Sequence, residues 1–156
     1  MTSAIPAPQP VPSGASEILH VAGYDPAINS LYSPAIRVAP AARLVFISGL
    51  TGAPVYHDHP HVPEVFDAVP LDIAGQVTNL FANLDLALAA AGAQRSDVVN
   101  LIRFFTNVAE DQDTVNRVQG EWFGDHIPTS TTVEVKRLAT DPRLRLEIQA
   151  VAAIPA

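Results

Sequence analysis

The chain has 156 residues, of which 48% are hydrophobic and 16% are charged, and it contains no cysteine. This length and composition fit one domain with a buried core and exclude a disordered chain. The formal net charge of −7 disfavours a nucleic-acid partner, because phosphate binding needs clustered Lys and Arg. The lack of cysteine excludes disulfides and thiolate catalysis, and it suits the cytoplasmic location that we expect.

The N-terminal segment MTSAIPAPQPVPSGAS is rich in proline. We predict a flexible, extended tail over 1–16 and a single domain over 17–156. The segment lacks the basic start and the apolar core of a signal peptide. No apolar run approaches the ~20 residues that span a bilayer, so we expect no membrane partner.

The first half of the domain predicts strands followed by a helix. EILHVAG and PAIRV are short candidate edge strands, and ARLVFISGLTG is a longer strand that Gly49 and Gly52 end. The irregular, proline-broken stretch APVYHDHPHVPEVFDAVP comes next. From about Asp72 to Ala91, apolar residues recur in steps of three and four, which predicts a helix with Gly92 at its C-terminal cap.

The second half predicts a strand, a helix and two further strands. SDVVNLIRFFTN is the first of these strands, and Asp113 is the predicted N-cap of a helix that Gly124 stops. TTVEVKRL and RLRLEIQAVAAI close the domain, separated by the turn ATDP. This order predicts an α+β fold, a single sheet with two helices on one face. The other face has several apolar or uncharged positions, so we expect it to pack against other copies of the chain.

Taken together, several segments resemble the Rid family of reactive-intermediate deaminases, also called the YjgF type. The resemblance runs from about Leu31 to Ile154 and rests on YSPAIRV, LVFISG, LALAAAGAQRSDVV, DTVNRVQGEWF, IPTSTTVEVKRL and RLEIQAVAA. It implies a chorismate-mutase-like subunit in a homotrimer, with ligand clefts between neighbouring subunits. It also implies hydrolysis of enamines or imines without a cofactor, in which the protein holds the substrate and places a water.

The resemblance also assigns candidate site residues. Family members grip the substrate carboxylate with an arginine two residues after the motif proline, and a glutamate on the last strand helps to position the water. Here the first position holds Ser130 and the second holds Gln149, with Glu147 one strand repeat earlier. These three are the candidate catalytic residues. Other matches give candidate substrate-binding residues: Tyr32, Ser48, Gly49 and Asn116.

A row of hydroxyl side chains, Thr129 to Thr132, follows the motif proline. We interpret it as the lining of a polar cleft, with Thr131 and Thr132 as further substrate-binding residues. The alternative is that Thr suits strands and Ser-Thr suits the turn before them. A nucleophilic Ser130 is a weaker hypothesis, because no Ser-His-Asp spacing is visible and triads are judged by geometry.

Two basic side chains have open roles. Arg103, in the apolar strand NLIRFFT, is either a structural arginine with a buried partner or an anion clamp relocated to the cleft, and we include it among the candidate substrate-binding residues. His126 is either a general acid at the cleft or the end of a loop.

The stretch between the third strand and the first helix carries residue types that bind metals. They are His57, Asp58, His59 and His61. Their spacing matches no familiar metal site, and alternate residues in a proline-rich loop rarely converge. We therefore favour a solvated loop or a lid over the cleft, and we predict no metal.

Two hypotheses for the function follow. The first is a homotrimeric enzyme of the Rid type that adds water to an enamine or imine and cleaves the C–N bond. Because the usual arginine and glutamate are replaced, its substrate is not a simple α-imino acid but an aminomuconate-like or specialised pathway intermediate. The second is a non-catalytic trimer that binds a metabolite or a partner protein in the same cleft.

Overall fold

The structure of the protein, a computed structural model, describes residues 5–28 and 30–156. The strands form two sheets. The smaller sheet consists, in this spatial order, of β1 (Gln9–Pro10), β2 (Ser16–Leu19) and β3 (Ala35–Val38). The larger sheet consists of β4 (Arg43–Leu50), β5 (Val98–Phe105), β6 (Thr129–Glu134) and β7 (Leu146–Ile154). Its strand order is β4-β7-β5-β6.

Two helices cover one face of the larger sheet, as the sequence predicts. They are α1 (Ile73–Ala90) and α2 (Val108–Phe123). β7 is antiparallel to both of its neighbours, whereas β5 and β6 are parallel and α2 is the crossover between them. The main core lies between the helices and the sheet, and it includes Leu80, Phe81, Leu84, Val115, Leu101, Phe105 and Ile148.

The prediction of a single sheet is wrong. The first two candidate strands, β2 and β3, pair with each other, and β2 also pairs with β1, whereas none of them pairs with β4. The smaller sheet instead packs against one end of the face that the helices leave open. This contact joins Ala15, Ile36 and Val38 to Val99 and Ala153. Alternation in sequence identifies a strand but not its partner, so the division into two sheets could not be foreseen.

Part of the predicted flexible tail belongs to the smaller sheet. β1 pairs with β2, and Val11 and Ala15, which lie between them in the chain, are buried. The predicted tail boundary at residue 16 therefore falls at the first residue of β2, while residues 1–4 lie outside the described residues. Pro10 can take this place because β1 is an edge strand, where a missing N–H leaves no ladder bond unmade.

The helix ends are set by capping groups. Asp72 caps α1 by accepting a hydrogen bond from the Gly75 N–H at 2.7 Å, as the sequence pattern indicates. The predicted cap of α2 at Asp113 is wrong. That helix begins at Val108, because Asn107 accepts from the Glu110 N–H at 3.2 Å and Glu134 accepts from the Val108 N–H at 2.8 Å.

Gly92 and Gly124 follow the two helices with φ of 67° and 63°, in the left-handed region that favours glycine. No helix in the described part of the chain is both long enough and apolar enough to cross a membrane.

A buried glutamine joins α1 to the segment that leads into β7. The Gln76 side chain is fully buried and donates to the carbonyls of Pro70 at 2.9 Å and Arg143 at 2.8 Å. Its Oε1 accepts from the Arg145 N–H at 2.9 Å. The side chain therefore satisfies three backbone groups that have no strand partner.

Replacing Gln76→Leu keeps the volume but leaves these buried groups without partners. We expect the free energy of unfolding in urea to fall by roughly 2–4 kcal/mol, because each unsatisfied buried group costs about 1–3 kcal/mol. Thr78→Ala removes an exposed hydroxyl from the same helix. This substitution should change the free energy of unfolding by less than about 0.5 kcal/mol. Equal effects of the two substitutions would contradict this account.

Candidate functional site

A cavity of about 490 Å³ opens beside α2 and β6. It is lined by Ile28, Ser30, Leu31, Tyr32, Arg103, Gln112, Asn116, Ser130 and Thr132. The parallel register pairs Leu101 with Ser130 and Arg103 with Thr132. Since side chains alternate along a strand, these positions all face α2. Five sequence-predicted residues thus meet in one cavity.

Arg103 is one of the residues that line this cavity. The side chain is buried and donates from Nε and Nη2 to the Thr132 hydroxyl at 2.9 and 2.7 Å. Nη1 donates to Asn116 Oδ1 at 2.8 Å and to Gln119 Oε1 at 3.2 Å. All of these acceptors are uncharged.

The positive charge of Arg103 has no carboxylate partner within the described ranges 5–28 and 30–156. Arg143 and Arg145, by contrast, form ion pairs with acidic side chains. Burial lowers the pKa of Arg103, which is the expected sign when desolvation is not offset by an opposite charge. A buried cation without a counter-charge at the wall of a cavity is a candidate binding site for an anion.

Ser130 lies beside this cation. Its Oγ is buried and, among the described residues, has no hydrogen-bond partner. Such an atom costs free energy unless a ligand or water satisfies it. No Asp, Glu or His lines the cavity in the described part of the chain, so a single protomer offers Ser130 no base.

The remaining predicted residues lie on the opposite face of the sheet. Gln149 and Thr131 both pair with Ile102, and Glu147 pairs with Phe104. They alternate with the residues that face the helices, so within one protomer Gln149 and Glu147 point away from the cavity. Ser48 and Gly49 lie where the β4–β7 register shifts, and they do not line the cavity either.

The Glu147 carboxylate lies directly against Gly49. A Cβ at Gly49 would be 2.0 Å from Glu147 Oε1, so only glycine leaves room for the carboxylate at this point of β4. Burial raises the pKa of Glu147. The Glu147 carboxylate therefore lies on the open face of the sheet, at the point where the register shifts between Ile47 and Leu50.

His126 is held by the main chain. Its Nε2 is 2.6 Å from the carbonyl oxygen of Val98, to which it must donate because a carbonyl only accepts. Burial lowers the pKa of His126, although this hydrogen bond opposes the shift. The structure therefore favours the interpretation that His126 anchors the loop before β6.

Gln112 and Gln119 are site residues that the sequence analysis missed. Gln112 lines the cavity, and Gln119 accepts a hydrogen bond from Arg103. They lie four residues before and three residues after Asn116, the spacing of one helix face. That spacing, once Asn116 was singled out, was the signal that could have found them.

Fold and site together define a small α+β protein with a cavity between a helix and a strand, lined by Arg103 and several uncharged polar side chains. The family model described as "Endoribonuclease L-PSP" matches residues 23–154. The chain therefore belongs to this family, the YjgF/Rid family that its sequence motifs resemble, and the predicted family is confirmed.

Individual relatives agree with this assignment. A RutC family protein of Pyrococcus abyssi is 31% identical over 116 residues, which cover 74% of this chain and 82% of that protein. The 2-iminobutanoate/2-iminopropanoate deaminase of Dermatophagoides farinae is 29% identical over 116 residues, covering 74% and 81%. The Rid-family protein YyfB of Yersinia pestis shares the fold, with a TM-score of 0.73 at 22% identity over 90% of this chain and 99% of that one.

If Arg103 binds an anion, its replacement should separate binding from stability. We expect Arg103→Met to alter the free energy of unfolding by less than about 1 kcal/mol or to raise it, because a buried unpaired charge is removed and water can reach the freed acceptors. Pyruvate at 100 times its dissociation constant should stabilise the wild type by about 2.7 kcal/mol and leave Arg103→Met unaffected.

The matched control for this prediction is Arg117→Met, an exposed arginine on α2, which should keep the response to pyruvate in a thermal unfolding assay. A loss of more than about 2 kcal/mol in Arg103→Met without ligand would instead identify Arg103 as a structural residue.

The raised pKa of Glu147 predicts a pH dependence of stability. The folded state holds the proton more tightly than the unfolded state, so ionisation of Glu147 costs stability as the pH rises from the ordinary value near 4.5 through the folded value. Glu147→Gln should therefore become progressively more stable than the wild type over this window, in urea unfolding at a series of pH values. Ser48→Ala, which removes no titrating group from the same face, should show no such trend.

Proposed function

We propose that the protein is a hydrolytic deaminase that acts on enamines or imines carrying a carboxylate, with Arg103 as the carboxylate-binding residue. Family membership and the similarity to a 2-iminobutanoate/2-iminopropanoate deaminase support the deaminase class. The observation that carries the proposal is the buried guanidinium of Arg103. Among the described residues, all of its hydrogen-bond partners are uncharged. Arg103 lines the same cavity as Ser130, whose hydroxyl has no partner among those residues. The positive charge that the resemblance places at position 130 is supplied here by the neighbouring strand.

The hydrogen bonds of Arg103 limit how it can hold a carboxylate. A guanidinium has five N–H donors. Nε, both hydrogens of Nη1 and one of Nη2 serve Thr132, Asn116 and Gln119. One N–H remains, and it can combine with the Ser130 hydroxyl to bind one carboxylate oxygen. This grip is weaker than the two parallel bonds of a bidentate arginine clamp.

A substrate larger than an α-imino acid would compensate for the weaker grip. A second cavity, of about 520 Å³, adjoins the first and shares Ile28, Ser30 and Tyr32 with it. Tyr32 lines both cavities, and more than half of its surface is exposed. An extended, unsaturated amino acid such as an aminomuconate-like compound would place its carboxylate at Arg103 and its chain along Tyr32.

The reaction needs a water and one group that moves protons. An enamine first takes a proton at its β-carbon and becomes a protonated C=N bond. Water adds to the carbon of that bond, and one proton of the water passes to the nitrogen. The hydroxyl of this adduct then loses its remaining proton as the C–N bond breaks and ammonia leaves. The products are a keto acid and ammonia. Because the protonated imine is already electrophilic, orientation of the substrate and the water accounts for most of the catalysis.

We propose that Glu147 and Gln149 of a neighbouring copy of the chain, in a homotrimer, bind and activate the attacking water. Support comes from the open face of the sheet, which carries both residues together with the exposed apolar side chains Leu44, Phe46 and Val133. A face of this kind is suited to burial against another subunit. Glu147 would take the proton from water, and Gln149 would orient it.

The second hypothesis is a trimer that binds carboxylates without turnover. The absence of any acidic group from the cavity of a single described protomer favours it. The two functions share Arg103 and Ser130 and differ in whether Glu147 of a neighbour reaches the ligand.

The test is to generate imines with an amino acid oxidase and to trap them with semicarbazide, alongside an aminomuconate-type enamine. We expect the wild type to reduce trapping, with kcat/KM about tenfold or more in favour of the enamine. Arg103→Met should lower kcat/KM on the order of 100-fold, with Arg103→Lys intermediate because it keeps the charge but not the planar fork. No turnover of any substrate, with pyruvate binding intact, would establish the binding hypothesis.

Subunit mixing tests the shared cleft. Arg103→Met and Glu147→Gln chains, each inactive alone, are unfolded together and refolded. If every cleft takes Arg103 from one subunit and Glu147 from the next, each mixed trimer contains one intact cleft. A 1:1 mixture should then recover about one quarter of wild-type activity. Activity no greater than the mean of the two separate variants would exclude the shared cleft.

A further inference from the structure

The histidines between β4 and α1 converge, although alternate residues in a proline-rich loop seldom do. The ring centroids of His59 and His61 are 4.4 Å apart, and His57 lies 5.1 and 5.0 Å from them. One nitrogen from each ring lies within 4.8 Å of the other two. Three ligand atoms are thus presented towards one point.

The hydrogen bonds of the rings leave one nitrogen of His57 and one nitrogen of His61 free to bind an ion. His57 Nδ1 is 3.0 Å from the carbonyl oxygen of Pro54 and must donate to it, so its Nε2 is a lone-pair acceptor. Metal-bound histidines usually show this arrangement, in which the second nitrogen is anchored by a carbonyl or carboxylate. His61 Nε2 is buried and has no partner among the described residues. His59 is exposed, so an ion could enter from solvent.

The loop around the histidines is held at both ends. Asn83 donates to the carbonyls of Thr51 and Ala53 at 2.9 and 2.7 Å. Beyond the histidines, Arg143 binds the Asp67 carboxylate and the Pro63 carbonyl, each at 2.7 Å. The buried ring of Phe66 packs edge-on against His57 and His61. The fold therefore positions His57 and His61, and His59 packs against both of them.

We propose that His57, His59 and His61 bind one divalent transition-metal ion, with zinc as the best fit. Three neutral imidazoles suit zinc, copper or nickel, whereas calcium and magnesium prefer oxygen ligands. Tetrahedral zinc, with Zn–N distances of about 2.0–2.1 Å, requires nitrogens roughly 3.4 Å apart. Closing from 4.8 Å needs movements of about 1 Å in the side chains. The fourth position faces solvent beside His59 and would hold a water. This site is separate from the cavity at Arg103 and does not depend on the deaminase proposal.

The experiment uses the full chain without an affinity tag, freed of metal by a chelator and dialysis. Zinc titrated by calorimetry should bind with a stoichiometry of one per chain. His57→Gln, His59→Gln and His61→Gln should each weaken binding by about tenfold or more. His20→Gln, which removes a histidine outside the loop, is the control and should bind as the wild type does. Circular dichroism of the metal-free variants checks that they fold.

X-ray absorption of the zinc-loaded wild type provides a measurement that does not depend on any variant. It should show three imidazole ligands and one oxygen. Fewer than two imidazoles, or binding that survives in His59→Gln and His61→Gln, would overturn the proposal. So would weakened binding in His20→Gln equal to that in the loop variants, because it would identify nonspecific uptake.

Discussion

The parallel pairing of β5 with β6 determines which side chains meet in this protein. Because Arg103 is opposite Thr132 and Leu101 is opposite Ser130, the cation and the hydroxyls share the face covered by α2. The same alternation sends Glu147 and Gln149 to the other face through the pairing with β7. A shift of β6 by one residue would turn Ser130 and Thr132 away from the face of Arg103, and a shift of β7 by one residue would turn Glu147 and Gln149 towards the helices. The division of the site between the faces is thus a consequence of backbone pairing.

The arginine that we propose as the anion clamp lies on a different strand from the position that the family resemblance indicates. Position 130, where the family resemblance places an arginine, holds serine here, and the guanidinium comes from β5 one strand away. Ser130 is a small residue, and Arg103 lines the same cavity. The larger side chain is then fixed by α2 through Asn116 and Gln119. This fixation explains why Arg103 keeps a defined geometry without an ion pair.

Periodicity predicted the helices and strands, because each buries one face and so repeats its apolar residues at 3.6 or 2 positions. It did not predict that β2 and β3 form a separate sheet, since pairing depends on contacts distant in sequence. Periodicity also did not predict which face of the larger sheet carries the Arg103 side chain. Leu101 and Phe105 alternate with it, but their burial under the helices is known only once the helices are placed. Five of the nine residues that line the cavity were named from the sequence, whereas the distribution of the other candidates over the opposite face was not foreseen.

The convergence of His57, His59 and His61 was beyond the reach of sequence patterns for a different reason. In a strand, residues two apart share a face with their Cα atoms about 7 Å apart, so two histidines can reach one ion, but a third histidine four residues away would lie about 13 Å from the first. Here the backbone between β4 and α1 forms no regular element around the histidines, and it curves around the buried ring of Phe66. The curvature brings the rings together, and it follows from the burial of one phenylalanine and from the contacts of Arg143 with Pro63 and Asp67. A spacing that matches no known motif can therefore still bring three side chains together when a distant residue shapes the loop.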